Sequence, residues 1–80
     1  MNQQPIGIIG AMKMEVDAIL AAMEGKRQEV HGSMAFTAGT LSGVPCVAVQ
    51  CSPGKVNAAL CTQALVDFFS PRLVLNLGVA

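Results

Sequence analysis

One acidic side chain in this sequence is set where chemistry could happen. The stretch Ile6-Gly7-Ile8-Ile9-Gly10-Ala11-Met12-Lys13-Met14-Glu15-Val16 begins as a fully apolar strand and turns through a glycine and a small residue. It then delivers Glu15 onto the first turn of a helix. Open α/β sheets bind their ligands outside the carboxyl ends of their strands. On a helical wheel Glu15 flanks the apolar stripe, so its carboxylate can face inward at the strand end, where such sheets place their chemistry. The competing reading is an acid that only favours the positive end of the helix dipole. Asp17, Glu24, Asp67 and Lys13 have no comparable location and read as surface charges.

Other motifs fail on spacing. Gly7 and Gly10 give GxxG, not the GxGxxG of a dinucleotide fingerprint, and Pro5 stands two positions before Gly7. Pro53-Gly54-Lys55-Val56 resembles the end of a P-loop, but Val49 occupies the first glycine position and Val56 replaces the magnesium-binding hydroxyl. The three cysteines, Cys46, Cys51 and Cys61, match no zinc or CxxC pattern. They read as small buried hydrophobes in a reducing compartment. His31, beside Gly32, reads as an exposed turn histidine. Met12 falls near the apolar stripe, where it can pack in the core or line a pocket. Asn76, interrupting an apolar run, reads as a buried amide.

The elements that must position these residues follow from periodicity. A first strand is expected from Ile6 to Ala11, apolar on both faces as a doubly covered strand should be. A helix follows from about Lys13 to Glu24, its stripe made by Val16, Ile19, Leu20 and Met23, with Gly25 as its stop. Residues 25–31 read as a polar connector. Strands over Met34–Leu41 and Val44–Gln50, joined at Ser42-Gly43, read as an antiparallel hairpin. A second helix is expected over Lys55–Phe69, ended by Ser70-Pro71. One apolar side carries Ala58, Cys61, Leu65 and Phe68, and the other Val56, Ala59 and Leu60, so it should be buried on two sides. The run from Leu73 to about Val79 reads as a central strand. The order is β-α-β-β-α-β, an α/β sheet with a mixed hairpin.

Eighty residues that are 52% hydrophobic and only 12% charged fit the inside of something larger better than a free-standing module. The chain is expected to be a partial domain, or a subunit covered by partners. A net charge of zero leaves no basic patch for nucleic acid. No apolar run reaches the roughly 18 residues of a membrane span, and the uncharged amino end is no secretory signal. A cytoplasmic protein without membrane or nucleic-acid partners is the expectation.

Residues 7–16 closely resemble the GIIGAMxxEV signature of the 5′-methylthioadenosine/S-adenosylhomocysteine nucleosidase family. Ser52-Pro53-Gly54-Lys55-Val56-Asn57-Ala58-Ala59 resembles that family's GIGKVxAA segment, and Leu75-Asn76-Leu77-Gly78-Val79-Ala80 its INTGSA segment. The resemblance implies the amino-terminal β-α-β-β-α-β part of a phosphorylase-like α/β/α sandwich with a mixed sheet, truncated at the carboxyl end. It also implies a cytoplasmic homodimer, formed through helix 55–69 and neighbouring loops. The implied activity is hydrolysis of the N-glycosidic bond of adenine thionucleosides in methionine salvage, with no cofactor and no metal. By the same resemblance Glu15 matches the glutamate that holds and activates the attacking water. Met12 matches the methionine at the ribose end, with Ala11 beside it. Pro53 falls near the sugar and its thio substituent, and Ala80 on a loop approaching the nucleoside.

Pro53, Leu77 and Val79 depart from the family's isoleucine, threonine and serine. The family's purine-recognition residues, leaving-group acid and second water-binding glutamate lie beyond position 80, so the isolated 80 residues are expected to be inactive. The alternatives are a nucleoside phosphorylase of the same superfamily, a hydrolase of a futalosine-type nucleoside, and an inactive fragment or interaction module. Phosphorolysis fits less well, because the phosphate would meet Glu15 with only Lys13 as a nearby base.

Overall fold

The computed structural model describes residues 4–10, 12–31, 34–50 and 55–77, with the backbone alone over 55–58. The elements are β1 (Ile6–Gly10), α1 (Lys13–Ala22), β2 (Glu24–His31), β3 (Met34–Leu41), β4 (Val44–Gln50), α2 (Lys55–Phe69) and β5 (Leu73–Leu77). They form one sheet in the order β2-β3-β4-β1-β5. β1 pairs in parallel with β4 and with β5, whereas β2–β3 and β3–β4 are antiparallel. The α/β class and the mixed sheet are as expected.

The two sheet faces are covered by different helices. On one, Ile8, Cys46 and Ala48 meet Met23, Ile19 and Leu20 of the α1 segment. On the other, Ile9, Phe36, Val47 and Val49 meet Cys61 and Leu65 of α2. Alternation along β1 accounts for this division, because successive side chains leave opposite faces of a strand. Ser42 at φ 51° and Gly43 at φ 80° close the β3–β4 hairpin in the left-handed region that two-residue hairpin turns favour.

Several expectations are corrected. The stretch read as a connector is β2, a sheet-edge strand beside β3. Its sequence is polar and mostly exposed, as edge strands that avoid further pairing are, so it carries no apolar alternation to detect. The first helix ends at Ala22, and Met23 takes extended backbone as its cap. Gly25, read as the helix stop, has φ 62° inside a register shift of β2. β5 is an edge strand among the described residues, with Leu73, Leu75 and Asn76 exposed. Its apolar run signalled two-sided cover, but α1 packs over β1 and β4 and α2 over β1.

α2 buries Cys61 and Leu65 against the sheet and leaves Leu60 and Val66 about half exposed. Residues three and four after Leu65 straddle its direction on the helix. The sheet takes Phe69, and Phe68 turns outward. There it stacks on His31 with ring centroids 4.0 Å apart and planes 13° apart. His31 is therefore no exposed turn residue. It is half-buried among Phe36, Phe68 and Phe69, the three phenylalanines of the chain. Cys46 is free and buried, but Cys61 is disulfide-bonded, against the reading of unbridged thiols. Cysteine pairing is not readable from spacing.

Leu65 is fully enclosed between α2 and the sheet. Leu65→Ala is expected to destabilise the fold by about 2–5 kcal/mol, read as a lowered urea midpoint.

Candidate functional site at the strand ends

Parallel pairing brings three strand ends to one level, since Gly10 of β1 lies opposite Gln50 of β4 and opposite Leu77 of β5. The chain leaves β1 into α1 on one face and leaves β4 into α2 on the other. Adjacent parallel strands whose connections depart to opposite faces open a crevice outside their carboxyl ends, where open α/β sheets bind ligands.

Glu15 stands at this end of the sheet, in the first turn of α1. Met12 caps the helix in extended conformation without a side-chain hydrogen bond, and its carbonyl accepts from Val16 N–H at 3.2 Å. Val16 is buried, which pins the turn to the sheet. Glu15 is partly buried, and its Oε1 atom is buried without a hydrogen-bond partner among the described residues. A buried acceptor with no protein donor calls for an explanation, and one at the carboxyl ends of parallel strands is suited to receive a donor from water or a ligand. The acid is not neutralised by its neighbour. Lys13 is turned to Asp17, one helical turn on, at 2.8 Å. The hydrogen bond and charge of Asp17 raise the Lys13 pKa above its ordinary 10.5.

Of the other expected site residues, Met12 is 55% exposed at the start of α1. Ala11, Pro53 and Ala80 lie outside the described residues. In the sequence they follow Gly10, Gln50 and Leu77 by one, three and three positions, so each belongs to the segment leaving one of the three aligned strand ends.

A depression of about 410 Å³ lies elsewhere, lined by Pro5, Arg27, Glu29, Pro45, Phe68 and Phe69 among others. Pro5 and Pro45 mark the amino ends of β1 and β4, the opposite end from Glu15. Its charges are already opposed to one another. Glu29 sits 3.5 Å from Arg27 and 3.4 Å from His31 Nε2, the latter without hydrogen-bond geometry. The unpartnered Glu15 oxygen is at the other end of the sheet. No helix of the described residues is long and apolar enough to cross a membrane.

A mixed sheet with a helix on each face defines a protein of the α/β class. Residues 5–80 match the family model of the Phosphorylase superfamily, and the chain belongs to that family. It is 44% identical over 73 residues to the 5′-methylthioadenosine/S-adenosylhomocysteine nucleosidase of Geobacillus kaustophilus, covering 91% of this chain and 31% of that relative. The structure resembles that of the corresponding nucleosidase from Colwellia psychrerythraea in complex with adenine. The TM-score is 0.92 at 38% identity, over 99% of this chain and 33% of that one. It also resembles futalosine hydrolase of Helicobacter pylori, with a TM-score of 0.84 at 30% identity, over 96% of this chain and 34% of that one. The chain thus spans about a third of the length of the relatives it matches.

Because the Lys13 shift is upward, the pair with Asp17 contributes below the ordinary lysine pKa and is lost as pH rises through the raised value. Asp17→Asn is expected to remove that alkaline step and to return the Lys13 titration toward its usual range, followed by NMR of the Lys13 ε-carbon.

Proposed function

We propose that this chain is the amino-terminal part of a nucleosidase that hydrolyses the N-glycosidic bond of 5′-methylthioadenosine or S-adenosylhomocysteine and releases adenine, a step of methionine salvage. The observation that carries the reading is the buried, unpartnered Glu15 Oε1 at the carboxyl end of β1, in a chain similar to such nucleosidases along nearly its whole length. Cleavage of the bond passes through an oxocarbenium-like sugar. Glu15 holds the attacking water on one face of that sugar and accepts its proton. Met12 and Ala11 line the ribose, Pro53 the thio substituent and Ala80 the nucleoside. The acid that protonates the departing adenine is assigned to no residue of this chain.

Lys13 supports hydrolysis over phosphorolysis. It is the lysine nearest Glu15 in sequence, and it is turned to Asp17, leaving a phosphate at this end to face the Glu15 carboxylate. Likeness to futalosine hydrolase keeps a second purine nucleoside within the same reading. The protein works as a homodimer, without cofactor, metal, nucleic acid or membrane. The half-exposed Leu60, Val66 and Phe68 of α2 supply the apolar area for that dimer.

The test is adenine release from 5′-methylthioadenosine with and without phosphate, on purified protein of verified mass. Release is expected without phosphate, reduced at least about 100-fold by Glu15→Gln, and absent from the 80 residues alone. Release that requires phosphate, or survives Glu15→Gln, overturns the reading.

A further inference from the structure

We infer that Gly10 and Val16 are positioning residues for Glu15, and that Gly10 serves as a glycine because α1 must close onto it. This rests on the reading of Glu15 as the group that holds the nucleophile. Gly10 does not need glycine for its backbone, since it lies in the extended strand β1 without a positive φ. What excludes a side chain there is space. A methyl group on Gly10 would stand 2.5 Å from Val16 Cγ2, closer than carbon atoms approach without displacement.

Val16 is buried and follows Glu15 directly. Its amide closes the first turn of α1 onto the Met12 carbonyl. A push on the Val16 side chain therefore moves the turn that carries Glu15. Since Glu15 Oε1 has no hydrogen bond to fix it, its location depends on the packing of its helical turn. Misplacing a reacting group by about 1 Å can cost about 100-fold in rate.

Gly7 supplies an internal control. A methyl group there would collide with Leu65 Cδ2 of α2, on the opposite face of the sheet from α1. Gly7→Ala and Gly10→Ala thus impose comparable crowding on one strand, but only the second presses on α1.

The experiment measures kcat and KM for adenine release, with thermal midpoints, in the active protein carrying Gly7→Ala, Gly10→Ala, Val16→Ala and Gly10→Ala/Val16→Ala. Both glycine variants are expected to lower the thermal midpoint. Gly10→Ala should lower kcat at least about tenfold with KM changed less than about twofold, whereas Gly7→Ala should leave kcat within about twofold. Val16→Ala should also lower kcat by loosening the turn. The double variant should recover most of it, because the added methyl fills the space that the valine methyls leave. If Gly10→Ala does not fold, recovery of the double variant relative to Val16→Ala carries the test alone. Equal kcat losses in the two glycine variants, or a double variant no better than Val16→Ala, overturns the inference. Glu15→Gln separates the two claims. Full activity in that variant overturns the role of Glu15 itself, whereas its inactivity together with failed recovery overturns only the positioning role of Gly10 and Val16.

Discussion

Close approach of two helices to a single strand is the constraint on which the rest of the structure depends. β1 lies between its parallel neighbours β4 and β5, and it carries one glycine toward each helix. Gly7 admits Leu65 of α2, and Gly10 admits Val16 of α1. With larger residues at these positions both helices would stand further from the sheet, and the enclosed cores around Ile8 and Ile9 would open. Dense packing of this kind resists the addition of even one methyl group. The same closeness brings the first turn of α1, and with it Glu15, over the strand end.

Polarity is distributed along the sheet in keeping with that constraint. The carboxyl ends of the three parallel strands share one level, and an acid without a partner stands there. The opposite end has a depression whose acid is already set against Arg27 and His31. The unpaired acid makes the carboxyl end of the parallel strands the candidate site.

Much of this was legible in the residues. The unbroken apolar runs of β1 and β4, the α1 stripe and the Ser42-Gly43 turn correspond to elements whose burial is decided locally. β2 was not legible, because Glu24-Gly25-Lys26-Arg27-Gln28-Glu29 is an exposed edge paired on one side only, and an edge needs no apolar period. The place of His31 depends on a contact with Phe68, 37 positions away, which no local pattern encodes. Phe68 and Phe69 illustrate a further limit. Both flank the apolar axis of α2, and the neighbouring sheet decides which of them turns inward. Glu15 could be read as a candidate from strand, turn and helix alone. Its buried and unpartnered oxygen required the packing of α1 to be known.

A crystal structure of the active protein with an unreacted 5′-methylthioadenosine analogue measures the central claim most directly, through the distance from the Glu15 carboxylate to a water facing the anomeric carbon. The account predicts the ligand at the carboxyl ends of β1, β4 and β5, with that water hydrogen-bonded to Glu15 at about 2.6–3.2 Å. A ligand bound instead between Arg27 and Phe68, or Glu15 turned away from the anomeric carbon, would contradict it.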